Sequence, residues 1–205
     1  MKKEDSEIHI FFIFWGPSEA GKTTALEYIY NNVPFLKKGE LIKIEDEKGS
    51  TMMFDFVPFV ILPEDEKSKV QVLFHCYTVP GQEQYSDRRA IVLEQVKYAD
   101  GFIFVADSQM TRIKDNLESY KELKKLTKKI LGKEIGKDLP MVVFINKRDL
   151  PNAAPVYLIK KIFDHADAFF ETVAPRGIGI IEGFKKISEL VLLRLLRELG
   201  EEEEE

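Results

Sequence analysis

A glycine-rich octapeptide near the start of the chain holds the residues best suited to chemistry. Its sequence, Gly16-Pro17-Ser18-Glu19-Ala20-Gly21-Lys22-Thr23, matches the pattern G-x-x-x-x-G-K-[ST] and lies between a buried apolar run and a predicted helix. The two glycines let the backbone turn tightly, so that consecutive N–H groups point inward at phosphate oxygens. The N-terminus of the following helix adds positive partial charge. The octapeptide, termed the P-loop below, therefore predicts a phosphate site.

Two P-loop side chains have predicted roles of their own. Lys22 is expected to reach the β- and γ-phosphates as a point charge, and the Thr23 hydroxyl is the expected ligand of Mg²⁺. The nucleotide-contacting residues predicted for this segment are Gly16, Ser18, Glu19, Ala20, Gly21, Lys22, Thr23 and Thr24.

A second motif, Asn146-Lys147-Arg148-Asp149, indicates which base is bound. It follows the apolar run 141–145, and a strand there ends on the ligand side of an open sheet. The Asp149 carboxylate can accept hydrogen bonds from guanine N1–H and its exocyclic amine, a donor pair that adenine lacks. Lys147 can lay its stem over the purine, and Asn146 can tie the motif to the P-loop. Alone the motif is weak, but the upstream P-loop makes it an indication of guanine.

A third contact to the base is predicted in the segment Val173-Ala174-Pro175. This segment ends the last predicted strand, on the same side of the sheet as the other motifs. A backbone N–H there, from Val173 or more specifically Ala174, is expected to donate to guanine O6.

Composition excludes several other classes of protein. The formal net charge is −5, which argues against a nucleic-acid partner because such binders need a basic face. The single cysteine, Cys76, rules out a disulfide framework and a cysteine zinc cluster. No apolar run approaches the ~20 residues that span a bilayer, and neither a signal peptide nor a lipid anchor is recognised. A cytoplasmic location is therefore expected.

Strands and helices alternate along the chain, which predicts an open α/β fold. With the P-loop motif between the first strand and the first helix, the expected fold is of the P-loop NTPase type. The central sheet is expected to be mostly parallel, with one antiparallel hairpin strand and helices on both faces. The predicted strands are 8–15, 52–62, 70–79, 101–106, 141–145 and 169–173, and the predicted helices are 22–32, 84–98, 112–131, 156–163 and 181–199. A single domain is expected over 1–200, followed by an acidic, disordered tail at 201–205.

Further motifs give the chain a resemblance to a known family. Thr78-Val79-Pro80-Gly81-Gln82 stands where Ras-like GTPases carry D-x-x-G-Q, and Thr51-Met52-Met53-Phe54-Asp55-Phe56 precedes it. With N-K-R-D-L-P, these segments make the chain resemble the MglA-type small Ras-like GTPases of prokaryotes over residues 8–196. The resemblance implies a small G-protein domain that binds GTP or GDP with Mg²⁺ and acts as a molecular switch.

The same resemblance implies roles for residues outside the P-loop. Thr51 would sense the γ-phosphate and Mg²⁺, the Gly81 N–H would contact the γ-phosphate, and Gln82 would orient the attacking water as the catalytic residue. Switch I is expected at about 38–51 and switch II at about 81–89. A Roadblock-type dimer is implied as regulator, with effector proteins and a role in cell polarity or intracellular organisation.

Departures from the family pattern predict slow intrinsic GTP hydrolysis. Thr78 replaces the usual aspartate near the metal, and either Asp55 compensates for it or that aspartate is only structural. Ser18 occupies a P-loop position that is glycine in Ras, and Ser50 stands where relatives often carry an arginine. An arginine finger accelerates GTP hydrolysis by ~10³ to 10⁵, as in Ras-type GTPases. Arg88 and Arg89, on the predicted switch II helix, could supply the cation, although arginines in such positions are more often solvated or bind partners.

Two alternatives to a hydrolysing switch stay open at this stage. One is a GTP/GDP-binding scaffold with no significant turnover, which Thr78 and Ser18 favour and Gln82 opposes. The other is a P-loop kinase, although no arginine-rich lid is recognisable and Asp149 favours guanine over adenine.

Overall fold

The fold is a seven-stranded sheet with five α-helices. The computed structural model describes residues 6–33, 41–45, 51–56, 70–81, 86–95 and 98–202. The strands are β1 (Ser6–Trp15), β2 (Leu41–Glu45), β3 (Thr51–Phe56), β4 (Val70–Thr78), β5 (Ala99–Asp107), β6 (Met141–Asn146) and β7 (Ala168–Glu171). The helices are α1 (Lys22–Asn32), α2 (Ser86–Gln95), α3 (Ile113–Leu126), α4 (Val156–Lys160) and α5 (Ile180–Glu202).

The strand order in the sheet is β2-β3-β4-β1-β5-β6-β7. Strands β4, β1, β5, β6 and β7 pair in parallel, whereas β3 pairs antiparallel with both β2 and β4. The carboxyl ends of the five parallel strands therefore meet at one edge of the sheet. All three predicted nucleotide motifs follow strands that end at this edge, so the topology alone brings them together.

Successive side chains of β1 point into two different cores, as the alternation of a strand requires. Ile10, Phe12 and Phe14 pack in a core that the helices α1 and α5 cover. Ile13 and Trp15 pack on the other face, in a core that α2, α3 and α4 cover. The predicted α/β arrangement with helices on both faces is confirmed.

Several predicted boundaries differ from those observed. No strand is predicted between 33 and 51, but β2 lies there and pairs with β3. The predicted helix over 112–131 is α-helical only to Leu126 and ends in a π-helical turn, Thr127–Leu131. The last helix reaches Glu202, past the predicted domain end at 200, while residues 203–205 and the predicted strand residues 57–62 lie outside the described residues.

Candidate nucleotide-binding site

The P-loop connects β1 to α1 and adopts the tight path that its glycines predict. Gly21 precedes α1 with φ of 100°, a left-handed conformation that side chains disfavour. A Cβ on this residue would also lie 2.3 Å from Asn146 Nδ2. Glu19 has φ of 61°, so the backbone alternates its direction within the loop. Such alternation turns successive N–H groups toward one concave side, as an anion site requires.

Lys22 is held inside the P-loop by main-chain oxygens. Its Nζ donates to the carbonyl of Gly16 at 2.9 Å and to that of Pro17 at 2.7 Å. Burial and, to a smaller extent, the positive charges of Arg89 and Arg112 together lower the pKa of Lys22 to about 7. A cation in these surroundings gains from a neighbouring polyanion, so the arrangement is suited to phosphate groups.

Asn146 links the P-loop to the last loop of the site. Its Nδ2 donates to the Ala20 carbonyl at 2.8 Å, and its Oδ1 accepts from Thr172 Oγ1 at 3.1 Å and from the Ala174 N–H at 3.0 Å. The residue is 2% exposed. These bonds fix the carboxyl ends of β6 and β7 relative to the phosphate loop, which is the tie predicted for Asn146.

The Ala174 N–H has a different partner from the one predicted for it. In this structure it donates to Asn146 Oδ1, and the preceding Val173 N–H donates to the Ile178 carbonyl at 3.2 Å. Donation from Ala174 to guanine O6 would therefore share one N–H between two acceptors. Both residues are nevertheless buried at the edge where the predicted base site lies.

Lys147 and Asp149 lie in different environments. The Nζ of Lys147 forms an ion pair of 2.7 Å with Asp107 Oδ2, and the residue has a left-handed backbone with φ of 64°. Asp149, two residues on, is exposed. The lysine is thus fixed by the protein, whereas the Asp149 carboxylate faces solvent and can meet an incoming base.

Asp107, at the end of β5, lies in the site but was not predicted from the sequence. It is fully buried, and its Oδ1 also accepts the Gln109 N–H at 3.0 Å. The Nε of Arg112 lies 3.9 Å from Asp107 Oδ2, and its Nη2 donates to the Ser18 carbonyl at 2.7 Å. One buried carboxylate therefore connects Lys147, in the predicted base-selecting motif, with Arg112, which donates to a P-loop carbonyl. Its place at the carboxyl end of a buried strand was the available signal.

Thr78 ends β4 with a buried hydroxyl. The residue is 1% exposed, and its Oγ1 has no hydrogen-bond partner within the described part of the chain. Leaving such a group unsatisfied costs ~1–3 kcal/mol, so the position suits a partner that the protein does not itself supply. Asp55, the predicted substitute for the missing aspartate charge, has its backbone opposite Tyr77 in the β3–β4 pair.

Gly81 lies directly against the P-loop. A Cβ on Gly81 would be 2.3 Å from Ser18 N and 2.5 Å from the carbonyl carbon of Pro17, so no larger residue fits without displacing backbone. Thr51 is the first residue of β3 and pairs with Glu45. The predicted catalytic residue, Gln82, lies outside the described residues.

The side chain of Arg89, on α2, is buried in the protein and bound to other protein groups. It is 5% exposed, its Nη1 donates to the Pro80 carbonyl at 2.9 Å, and its Nη2 contacts Glu122 at 2.8 Å. As an alternative source of a catalytic cation, Arg89 is therefore poorly placed in this structure. Only the backbone of Arg88 is described.

These features define a P-loop nucleotide-binding protein with a motif selective for guanine. Residues 7–201 match the family described as "Elongation factor Tu GTP binding domain". The mutual gliding-motility protein MglA of Myxococcus xanthus is 39% identical over 190 residues, which cover 92% of this chain and 93% of that protein.

More distant relatives include two human proteins. ADP-ribosylation factor-like protein 4C is 34% identical over 128 residues, or 58% of this chain and 62% of that protein. ADP-ribosylation factor-like protein 4A is 27% identical over 182 residues, or 85% of this chain and 80% of that protein.

The chain belongs to the GTP-binding domain family and, within it, to the small GTPases of the MglA type. It is a GTP-binding switch that hydrolyses GTP to GDP. Among the helices of the described residues, none combines the length and apolar character needed to cross a membrane.

Proposed function

We propose that the site assembled around Asn146 binds GTP with Mg²⁺, discriminates guanine through Asp149 and hydrolyses GTP slowly with Gln82 as the catalytic residue. The observation that carries the proposal is the Asn146 junction, which holds the P-loop and the 172–174 loop at hydrogen-bond distance. A phosphate loop and a base-selecting loop fixed to each other form one site that can read a complete nucleotide.

The phosphates lie along the P-loop in this proposal. The N–H groups of residues 18–24 donate to phosphate oxygens, and Lys22 contributes its charge. The held position of Lys22 on the carbonyls of Gly16 and Pro17 supports this role, because the ammonium needs little reordering to meet a phosphate. The remaining nucleotide contacts come from Thr51 and Gly81 on the phosphate side.

The base lies at the carboxyl end of β6. Asp149 accepts from guanine N1–H and the exocyclic amine, Lys147 covers the purine face, and the loop at Val173 and Ala174 lies beside O6. The exposed position of Asp149 supports its role. Adenine would leave this carboxylate without a donor pair, which is the basis of the discrimination.

The residues at the phosphate side fit a magnesium ion. Thr23 and Thr51 would hold the metal, and the buried, unsatisfied Thr78 hydroxyl would hydrogen-bond to a water of its shell. Mg²⁺ keeps several waters in protein sites, so a neutral threonine can serve where other GTPases use a carboxylate. When bound, the ion neutralises charge that develops on the phosphates.

Hydrolysis is proposed to be slow without a partner. Gln82 orients water with its amide, but neither Ser18 nor Ser50 supplies a cation, and Arg89 is engaged with Glu122. The other arginine at the P-loop, Arg112, is held by the Ser18 carbonyl and by Asp115. The proposal therefore assigns neither arginine to the cation that accelerates related reactions by ~10³ to 10⁵.

The nucleotide state is proposed to be read by other proteins in the cytoplasm. Ordering of the segments 38–51 and 81–89 by the γ-phosphate would create a surface for a Roadblock-type regulator dimer and for effectors. The similarity to MglA supports this proposal. A pull-down with the protein loaded with a GTP analogue, compared with the GDP-loaded protein, tests whether partners distinguish the two states.

A titration tests the nucleotide site itself. Labelled GTP and ATP are added to the purified protein with Mg²⁺ and with EDTA, and nucleotide from a single turnover is separated by chromatography. We expect saturable binding of GTP that is tighter than binding of ATP and that weakens in EDTA. We also expect slow formation of GDP in the single-turnover reaction. Equal binding of the two nucleotides would contradict the guanine site, and binding without any GDP would favour a scaffold.

A further inference from the structure

The Arg89 side chain joins four parts of the structure around the switch. From α2 it donates to the Pro80 carbonyl at 2.9 Å and pairs with Glu122 of α3 at 2.8 Å. Its guanidinium carbon also lies 6.0 Å from the ring centre of Trp15, the last residue of β1. The Trp15 ring is itself fixed, because its Nε1 donates to the Ser119 carbonyl on α3 at 3.1 Å.

The bond to Pro80 acts on the orientation of Gly81. The carbonyl of Pro80 and the N–H of Gly81 belong to one planar peptide unit, in which the oxygen and the hydrogen point in opposite directions. A guanidinium that holds the oxygen therefore also fixes the direction of the N–H. Gly81 lies against Ser18 of the P-loop. Arg89 therefore controls the direction of an N–H group at the phosphate side of the site.

The charge of Arg89 adds to this geometric effect. A hydrogen bond from a cation to the carbonyl polarises the peptide and makes its N–H a better donor. Glu122 keeps the guanidinium in place, and the low exposure of Arg89 limits competition from water. The Arg89 contacts also join the two ends of the segment that contains Gln82, because Pro80 precedes it and α2 follows it.

We propose that Arg89 is a positioning residue that aims the Gly81 N–H at the γ-phosphate and thereby raises the affinity of the site for GTP relative to its affinity for GDP. The proposal rests on the proposed function of the P-loop and Gly81. Because GDP has no γ-phosphate, loss of this alignment weakens the binding of GTP and leaves that of GDP largely intact. A role confined to stability would instead change both affinities together.

The experiment compares the full-length wild-type chain with Arg89→Gln, Arg89→Lys and Glu122→Gln. Dissociation constants for GDP and for a non-hydrolysable GTP analogue are measured with Mg²⁺, together with the single-turnover rate and the melting temperature. Arg194→Gln is the control for loss of an arginine ion pair away from the site. Arg194 forms a 2.8 Å pair with Glu198 within α5, which packs on the opposite face of the sheet and where both side chains are more exposed.

In Arg89→Gln the dissociation constant for the GTP analogue is expected to rise about tenfold while that for GDP changes less than about twofold. Arg89→Lys, which keeps the charge but not the two-armed geometry, is expected to recover part of the preference. Glu122→Gln keeps an acceptor for Arg89 and is expected to give an intermediate loss. The Arg194→Gln control is expected to keep the wild-type ratio of the two constants.

Equal changes in both constants, or no change in a folded Arg89→Gln protein, would overturn the proposal. If Arg89→Gln does not fold, Arg89→Lys and Glu122→Gln provide the test. A wild-type ratio of the two dissociation constants in both of these variants would also overturn the proposal. A wild-type chain that binds neither nucleotide would instead refute the proposed function, so the two failures are distinguishable.

Discussion

Asn146 donates to the Ala20 carbonyl at 2.8 Å, although 126 positions separate the two residues in the chain. The same amide accepts two hydrogen bonds from the loop after β7. A substitution at this position is therefore expected to disturb the P-loop, the predicted base-selecting motif and the loop after β7 together.

Asn146→Ala is expected to lower the free energy of unfolding by about 2–4 kcal/mol, because it removes three hydrogen bonds in a buried setting. Urea denaturation without nucleotide measures the loss. Asn152→Ala is the control, since Asn152 is exposed and its side chain bonds only to Gln109 at 3.2 Å among the contacts described for it. Similar losses in the two variants would contradict the structural role of Asn146.

Asp149→Asn is expected to exchange the preferred base. An asparagine amide can donate to the C2 carbonyl of xanthine, whereas it presents a donor to the exocyclic amine of guanine. Guanine-nucleotide affinity should fall on the order of a hundredfold or more, and xanthosine triphosphate should bind better than GTP. Competition titrations with GTP, XTP and ATP on wild type and variant make the measurement, and a variant that still prefers GTP would argue against direct recognition by Asp149.

The pair formed by Asp107 and Lys147 is expected to be energetically coupled. Asp107→Asn leaves the partly buried Lys147 ammonium without this carboxylate, and Lys147→Met leaves the buried Asp107 carboxylate with only the more distant Arg112, at 3.9 Å. The double variant removes both charges of the pair. A double-mutant cycle on the free energy of unfolding should therefore give a coupling of ~1–3 kcal/mol. Strict additivity of the two single effects would show that the ion pair contributes no specific stability.

Asp100 is expected to make the stability of the protein depend on pH. Its Oδ2 accepts the Phe11 N–H at 2.8 Å, where the register between β1 and β5 shifts. The pKa of Asp100 is raised to about 6, chiefly by burial and slightly by the Glu198 charge, while the Phe11 hydrogen bond and the charges of Lys133 and Arg194 partly offset the rise. The folded state therefore binds this proton more tightly than the unfolded state, and the resulting stability is lost as the pH rises through 6.

Asp100→Asn removes this titration and keeps an acceptor for the Phe11 N–H. The difference in unfolding free energy between variant and wild type should grow in favour of the variant by ~2 kcal/mol between pH 4 and 7.5. Asp167→Asn is the control, because Asp167 accepts the Met141 N–H at 2.8 Å but is exposed to water. A difference for Asp100→Asn that stays constant over this range would contradict the expectation.

The P-loop and the start of α1 were predictable because they depend on interactions between residues that are close in sequence. The P-loop pattern fixes a turn and a helix start within a few residues, and α1 begins and ends at the predicted residues, Lys22 and Asn32. The tie from Asn146 to the P-loop was also predicted, since parallel strands bring their carboxyl ends to one edge.

The unpredicted parts depend on contacts between distant segments. The partners of Arg89 lie on the 79–81 loop and on α3, and no spacing along the sequence brings these together. Strand β2 was missed although Ile-Lys-Ile-Glu alternates apolar and polar residues, because the alternation is short and its pairing partner, β3, cannot be identified from spacing alone. The π-helical end of α3 likewise has no signal in a helical hydrophobic repeat.

Trp15 gives the protein an optical reporter of its own. It is the only tryptophan in the sequence, and its ring lies beside the Arg89 guanidinium and next to the first residue of the P-loop. Any movement of that cation during nucleotide exchange would change the electric field at the indole, so we expect the emission spectrum of unlabelled protein to report it.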